Sequence, residues 1–368
     1  MEIGDHMASG ARSVQIECSW DGRAAKYGWQ RVYSLAARVP GVRLVMLGMK
    51  LGRDALSLAN AFWHDYLRVL RYSSAVCTGD TQGKLAALIT MGYHGIEKGL
   101  ALPQPRPGFG KPEVSLLISR LERYGMAFGF DETAIVAFNV LGEYCRFNEE
   151  HGALDPEFLP QIKSLARFVA SQSVRVSAGG GKLVVKEDFL KRARIDLKGF
   201  FESRSSVRQY ASQPVALEDM ETAVNLARRT PSCCNRQSGR VWVLRDQPSI
   251  QKALEIQGGA RGFGQEVPAV LVITSDLACF QSAGERGQAL IDGGMFAMSV
   301  VYALHSLGLV TCCLNWSKTH ATDTRLRQLF PIPMQETIIM LVAVGHPKDR
   351  YLVAESHRRD VGEVMRVL

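Results

Sequence analysis

The sequence predicts an α+β or α/β layer domain preceded by an all-helical domain, and three observations indicate this division. Apolar residues recur at helical spacing as far as Gln172. A glycine cluster then interrupts the pattern at Ser177–Lys182, and short apolar strands alternate with helices from Asp188 onward. A chain of 368 residues is also longer than a single hydrophobic core usually sustains. We therefore predict a helical domain at 1–176, a linker at 177–195 and an α+β domain at 196–368.

The helical domain is predicted to contain six helices. They cover Asp21–Arg38, Arg53–Tyr72, Gln82–Tyr93, Glu113–Tyr124, Glu132–Glu150 and Glu157–Gln172. In the second helix, Leu56, Phe62 and Leu70 belong to an apolar stripe at helical spacing. This stripe favours packing against a core over a position on a membrane surface, although arginines flank it.

A loop is predicted at Leu102–Pro112, because its four prolines and two glycines exclude regular structure. The segment from His94 to Lys111, which includes this loop, contains several charged and titratable side chains. One interpretation of these side chains is an anion-binding lid. The alternative is a connector packed on the domain surface. We favour the connector, since loops carry function only in a minority of cases.

The α+β domain is predicted to contain four helices and four strands. The helices cover Leu217–Arg228, Ser249–Gln257, Gly287–Leu307 and Asp323–Leu329, and the strands cover Val241–Leu244, Val267–Thr274, Leu309–Leu314 and Glu336–Val344. The strand from Val267 is almost continuously apolar, which indicates burial on both faces. The helix from Gly287 is apolar around most of its circumference, so we expect it at the centre of the domain or in a subunit interface.

Composition excludes several classes of function. The 44 basic residues exceed the 36 acidic ones, giving a net charge of +8 that favours anionic ligands, but no dense basic run with interleaved aromatics points to nucleic acid. The eight cysteines show neither C-x-x-C nor zinc-ligand spacing, so we expect no metal site and a reducing, cytoplasmic location. The sequence also shows no signal-peptide pattern and no membrane span, which predicts a soluble protein.

An anion-binding pattern lies at Ser203–Tyr210. Arg204 and Arg208 stand four residues apart and enclose the adjacent hydroxyls of Ser205 and Ser206. Guanidinium groups and hydroxyls are good phosphate donors. Taken alone, however, the segment is more typical of a helix-to-strand corner with solvated arginines.

Three later segments add to this pattern. In Thr230–Gln237, a proline and small residues precede Asn235 and Gln237, whose amides offer donors and acceptors to a heterocycle edge. Gly308–Trp316 is a strand that ends in an irregular turn, and Ser356–Arg359 is a basic segment near the C-terminus. Each is also compatible with an ordinary turn or a solvated tail.

In this order, the four segments resemble the motifs of the nitroreductase family of FMN-dependent NAD(P)H oxidoreductases. The resemblance covers about residues 196–368 and implies an α+β fold with a mixed or antiparallel sheet flanked by helices. It also implies an intertwined homodimer with FMN between the subunits and NADH or NADPH as electron donor. Ser238 and Gly239 replace a proline and tryptophan that the family often has, and Asn315 and Trp316 replace acidic or small residues.

The resemblance assigns cofactor-binding residues but no catalytic acid or base. For the phosphate and ribityl chain it implies Arg204, Ser205 and Ser206, and for the flavin edge Arg208. For the ring system it implies Pro231, Ser232, Cys233, Asn235, Gln237, Cys313, Leu314, Asn315 and Trp316, and for completion of the phosphate site His357, Arg358 and Arg359.

Three functions follow from this resemblance. The leading hypothesis is ping-pong hydride transfer from NAD(P)H to a nitroaromatic, quinone or enone. The alternatives are a specialised flavin-dependent dehydrogenase or dehalogenase of a biosynthetic intermediate, or a non-catalytic module that binds flavin or an anion. The adjacent cysteines, Cys233–Cys234 and Cys312–Cys313, are interpreted as packing residues rather than a redox relay.

Overall fold

The computed structural model describes residues 40–74, 81–170, 179–181, 185–187, 190, 195–354 and 358–368. The chain divides into two compact units, Met1–Trp63 and His64–Leu368. The predicted helix at Asp21–Arg38 and most of the predicted linker lie outside the described residues. The boundaries proposed for the helical domain, linker and α+β domain therefore stay predictions.

The first described helix, α1 (Pro40–Tyr72), begins well before the predicted start at Arg53, because the apolar run Val42–Leu51 continues the helix. Most of its apolar stripe is exposed, with Leu56 at 74% and Phe62 at 66% of full exposure, whereas Leu70 is half-buried. The prediction that this stripe packs against a core is therefore wrong for most of its residues. Helical periodicity reveals an apolar face, but it does not show whether anything covers that face.

Four helices share one apolar core: α2 (Gln82–Leu100), α3 (Lys111–Phe128), α4 (Glu132–Glu150) and α5 (Phe158–Ala170). The loop between α2 and α3 is fixed to α4. Gly108 N donates to Asn148 Oδ1 at 2.6 Å, and Tyr144 Oη donates to Phe109 O at 2.6 Å. These contacts confirm that the loop is packed on the domain, and the anion-binding alternative stays a hypothesis.

The sheet contains β1 (Gly239–Leu244), β2 (Ala269–Asp276), β3 (Val310–Asn315) and β4 (Glu336–Gly345). All its pairings are antiparallel and the order is β1-β2-β4-β3, so β1 and β3 are the two edges. Every residue of β2 is buried, as the apolar run predicted. Val270 and Val272 point into one core and Leu271 and Ile273 into the other.

Helices cover both faces of the sheet. Helices α8 (Gln247–Gln257) and α10 (His320–Leu329) contribute to one core, and α7 (Leu217–Ala227) and α9 (Gln288–Ser306) to the other. Two short helices flank this layer, α6 (Leu197–Ser203) and α11 (Val361–Val364). This architecture confirms the predicted α+β class.

Helix α9 has two apolar faces. One is buried against the sheet through residues such as Phe296 and Val300, whereas Leu290 and Ile291 on the other face are 60% and 55% exposed. Among the described helices, only α9 is long and apolar enough to cross a membrane by length and composition. Nearly half of that stretch, 44%, is buried in the core, as in the central helix of many soluble proteins.

Candidate functional site

The predicted cofactor-binding segments lie at the two edges of the sheet. Strand register places Gly239 of β1 opposite Ser275, and Ser275 opposite Thr337 at the start of β4. Asn315 at the end of β3 pairs with Met340, a few residues further along β4. The loop before β1 and the turn after β3 therefore lie at the same end of the sheet. The two segments lie at opposite edges of the sheet, because β1 and β3 are its edge strands.

Residues 204–211 run along the free edge of β3. Ser206 forms a parallel bridge with Thr311, and Val207 N donates to Thr311 O at 2.9 Å. Tyr210 is buried, and its hydroxyl donates to Val207 O at 2.8 Å. This bond fixes the segment from Val207 to Tyr210. This edge pairing holds the hydroxyls and guanidinium groups of the Arg204–Arg208 segment beside β3.

Arg204 and Arg208 are available to an anion. Arg204 is half-buried, Arg208 is exposed, and among the described residues neither is paired with a carboxylate. The hydrogen bond of Arg208 goes to the carbonyl of Ser206 at 3.4 Å. Two cations beside the Ser205 and Ser206 hydroxyls form a donor set that fits a phosphate group.

His305 supports this segment from the end of α9, and sequence analysis missed it. Its Nε2 lies 2.8 Å from Ser203 Oγ, and its ring centroid lies 4.9 Å from that of Phe200. Burial lowers the pKa of His305, and the nearby Arg204 cation lowers it further. A neutral imidazole therefore holds the residue just before Arg204 in place.

The loop before β1 is built from backbone conformations that ordinary residues rarely adopt. Cys234, Asn235 and Gln237 have φ values of 48°, 53° and 50°. Such left-handed conformations cost energy unless their surroundings impose them. Here Cys233 N donates to Asp292 Oδ2 at 2.9 Å, and Gln237 N donates to Ser232 Oγ at 2.9 Å. These contacts fix the loop that carries Asn235 and Gln237, and Gln237 Nε2 donates to Asn235 O at 3.3 Å.

Arg236 is the main anchor of this loop, although sequence analysis assigned it no role. Its side chain is fully buried and donates through both terminal nitrogens to Glu285, while Nε donates to Cys233 O at 3.0 Å. These hydrogen bonds lower the pKa of Glu285 to about 2. The only available signal was an arginine among small residues, with no indication of its partner.

A cavity of about 510 Å³ opens beside this loop. Pro231, Ser232 and Gln237 of the predicted site line it. Helix α7 contributes Met220 and Val224 among others, and α9 contributes Asp292 and Phe296. Its lining is mixed apolar and polar, which suits a flat aromatic ligand with hydrogen-bonding edges.

The turn after β3 is fixed more firmly than its sequence indicates. Gln257 Nε2 donates to Asn315 O at 2.9 Å, and Trp316 Nε1 donates to Asp323 Oδ1 at 2.9 Å. The Trp316 ring packs against the core on the α8 and α10 face. Cys313 is exposed and Leu314 is buried. The indole is therefore held toward α10.

The C-terminal residues are not brought to the other predicted contacts by the described structure. His357 lies outside the described residues. Arg358 and Arg359 are exposed, and Arg359 Nη1 lies 3.4 Å from Glu363 Oε2 on α11. Their role in phosphate binding stays a prediction.

The cysteines near these segments resemble packing residues. Burial raises the pKa of Cys233 and Cys312, and it raises the pKa of neighbouring Cys279 to about 12. Protonated thiols are poor nucleophiles, which supports the packing interpretation. Within the described part of the chain, no group of three or more His, Cys, Asp or Glu side chains could hold a metal.

The sequence profile of the Nitroreductase family matches residues 201–260 and 247–346, which include the β3-edge segment, the strained loop and the turn at Trp316. Over these residues the chain matches the nitroreductase family. The match confirms the resemblance on which the predicted cofactor-binding residues depend. The match does not extend to the residues before 201.

Curated relatives agree with this nitroreductase assignment. A provisionally named NADH dehydrogenase/NAD(P)H nitroreductase of Archaeoglobus fulgidus is 27% identical over 150 residues, covering 40% of this chain and 83% of that protein. An FMN reductase [NAD(P)H] of Bacillus subtilis is 24% identical over 159 residues, covering 39% of this chain and 63% of that protein. An iodotyrosine deiodinase of Nematostella vectensis is 24% identical over 208 residues, covering 49% of this chain and 77% of that protein.

Solved structures give looser similarity to the nitroreductase part. An FMN-dependent nitroreductase from Clostridium difficile is 18% identical with a TM-score of 0.38, covering 43% of this chain and 91% of that one. A BluB-like flavoprotein from the same species is 15% identical with a TM-score of 0.40, covering 48% of this chain and 100% of that one.

Proposed function

We propose that this chain is an FMN-dependent oxidoreductase that transfers hydride from NAD(P)H to an electron-poor acceptor of the nitroaromatic, quinone or enone type, by a ping-pong mechanism. The observation that supports this most directly concerns Arg204 and Arg208, along the β3 edge of the part that matches the nitroreductase family. Neither guanidinium group pairs with a carboxylate of the described residues. FMN, when bound, supplies the redox chemistry, which accepts a hydride and passes it on.

One end of the ligand site would lie beside Thr311. Arg204, Ser205 and Ser206 would hold the phosphate through charge-assisted hydrogen bonds. From Thr311 to Asn315, β3 extends four residues, or about 13 Å. That distance gives an elongated ligand room to reach the turn at Asn315 while its anionic end stays at Ser206. Arg208 would stabilise negative charge on the part of the ligand between these two ends.

The site would be completed by a second subunit. In one chain, the loop with Asn235 and Gln237 lies at the β1 edge of the sheet, and Arg204 lies at the β3 edge. Three strand spacings, about 14 Å, separate these two edges. Asn235 and Gln237 would therefore reach a ligand held by the Arg204 segment of a partner copy. The exposed apolar face of α9 and the exposed tail residues Leu352 and Val353 support a homodimer, because isolated proteins rarely leave such surfaces open.

The chain's own residues would bind and orient rather than move protons. The strained loop would present the Asn235 and Gln237 amides to a heterocycle edge, and the neutral His305 would hold Ser203 beside the phosphate donors. We assign no acid or base, so protons would come from solvent.

An absorbance spectrum before and after anaerobic addition of NADH or NADPH tests this function. We expect a yellow protein that bleaches and regains its colour with a quinone. A yellow protein that never bleaches would contradict the reductase and support a non-catalytic flavin module. A colourless protein that takes up no added FMN would contradict the cofactor assignment.

One specialised reaction is a second candidate, because the match to the deiodinase of Nematostella vectensis covers more of this chain than the matches to the two reductases above. It would be a reductive dehalogenation of an aromatic intermediate. Halide release from an iodophenol under reducing conditions, measured beside quinone reduction, distinguishes the two. Quinone turnover without halide release favours the general reductase.

A further inference from the structure

Helix α1 carries an exposed apolar face that the proposed oxidoreductase does not use. We define the α1 face by residues that precede His64 and that are between 58% and 74% exposed. They are Val45, Met49, Leu51, Leu56, Leu58, Phe62 and Trp63. A helix of a globular protein normally buries such a stripe.

The α1 face is broad and continuous. At about 100° per residue, its side chains occupy an arc of about 180°. Gly48 and Gly52 fall within this arc, and a Cβ atom added to either would meet no atom of the described residues within 4 Å. The middle of the face is therefore open as well as its flanks.

From Lys50 onward, the other side of the helix is basic. Residues 48–63 contain Lys50 and Arg53 but a single carboxylate, Asp54, which Arg53 Nη2 contacts at 3.1 Å. Lys50 and Arg53 lie on the arc opposite the α1 face. A basic polar side, a wide apolar side with Leu, Phe and Trp, and a net positive charge together characterise helices that lie in a membrane interface.

We propose that the α1 face binds the surface of an anionic lipid bilayer, with the helix axis parallel to the membrane. The apolar arc would enter the acyl boundary, and Lys50 and Arg53 would contact anionic headgroups. The competing occupant is a second copy of α1, which Gly48 and Gly52 could approach closely. A two-helix seam covers a narrower stripe than this arc and would leave one flank exposed.

Vesicle co-sedimentation of the full chain tests this proposal. The vesicles contain phosphatidylcholine with phosphatidylglycerol, or phosphatidylcholine alone. Leu56→Glu and Ser57→Glu form a matched pair, because they give the same net charge one position apart on opposite faces. We expect Leu56→Glu to weaken binding on the order of tenfold or more and Ser57→Glu to weaken it much less. Lys50→Gln should cost about fivefold on anionic vesicles only.

Several outcomes would overturn the proposal: no co-sedimentation, equal binding to neutral vesicles, or equal losses in the matched pair. A smaller oligomer for Leu56→Glu in sedimentation velocity, without vesicle binding, would assign the α1 face to a second copy. Far-UV circular dichroism and FMN content should stay as in the parent protein, because Leu56 is exposed. Absence of FMN from all variants would contradict the oxidoreductase and leave the vesicle result intact.

Discussion

Arg236 and Glu285 form a two-pronged ion pair, with Arg236 Nη2 2.6 Å from Glu285 Oε1 and Nη1 3.1 Å from Oε2. The pair joins the strained loop before β1 to the segment before α9. Glu285 Oε2 also accepts from Gln281 N at 2.7 Å. Since Asn235 and Gln237 flank Arg236 at positive φ, the pair holds two predicted flavin contacts in conformations that they would otherwise leave.

Replacing Arg236 by Met should destabilise the protein by about 2 kcal/mol. Breaking a buried pair leaves an uncompensated carboxylate, but Glu285 keeps some contact with solvent, which lowers the cost. Urea unfolding measures this change. The double variant Arg236→Met/Glu285→Leu should recover part of the loss, whereas Arg146→Met, which breaks an exposed pair with Glu143, should change nothing measurable. A double variant less stable than Arg236→Met would contradict this account.

Replacing Arg204 by Ala should remove most of the bound FMN, because a charge-assisted phosphate contact is lost. The flavin-to-protein absorbance ratio after purification measures this. Lys198→Ala is the matched control, since Lys198 lies nearby on α6 and its side chain is 85% exposed. Full FMN retention in Arg204→Ala would disprove the phosphate assignment.

We expect His305 to make the stability of the folded protein depend on pH. Burial and Arg204 lower its pKa, so folding favours the neutral imidazole and its contribution is complete above the unfolded value of about 6.5. This contribution should be lost as the pH falls from there through the lower folded pKa. His305→Gln should flatten the decrease in Tm between neutral pH and about pH 5. Parallel Tm profiles for the two proteins would show that His305 does not titrate in this way.

Trp316 should become mobile when its hydrogen-bond acceptor is removed. In Asp323→Leu, the indole N–H loses its partner at 2.9 Å, and Arg327 loses an ion-pair contact at 2.6 Å. We expect a changed Trp emission maximum and a stability loss of about 1–3 kcal/mol. Trp316→Phe should remove the spectral change from the Asp323 variant. A spectral change that persists would indicate a different tryptophan.

Gly239→Ala should destabilise the start of β1. A Cβ there would stand 2.5 Å from Phe296 Cδ1 on α9, and overpacking of this kind costs about 1–3 kcal/mol. Gly294→Ala is the control, because an added Cβ meets nothing within 4 Å in the same helix as Phe296. Denaturant titration should show the first variant less stable and the second at least as stable as the parent. Equal stability of the two variants would disprove the close contact.

The fold of the α+β part was accessible from the sequence because its signals are local. The unbroken apolar run before Thr274 indicated a central strand, and Pro231 indicated the end of α7. The motif at Arg204–Arg208 indicated an anion site in the same way, since the types and spacing of neighbouring residues carry that chemistry. The order of the strands was left open, because it pairs distant segments.

Tertiary structure decided what no local pattern contains. It brought Glu285 to Arg236 and His305 to Ser203, and it turned the Trp316 indole toward Asp323. It also placed the two halves of the predicted site at opposite sheet edges, and left Leu56 and its neighbours on α1 exposed. The sequence determined which side chains can bind an anion or form an apolar face. Which groups meet, and which faces stay uncovered, depends on contacts between residues far apart in the chain, and residue spacing alone does not encode those contacts.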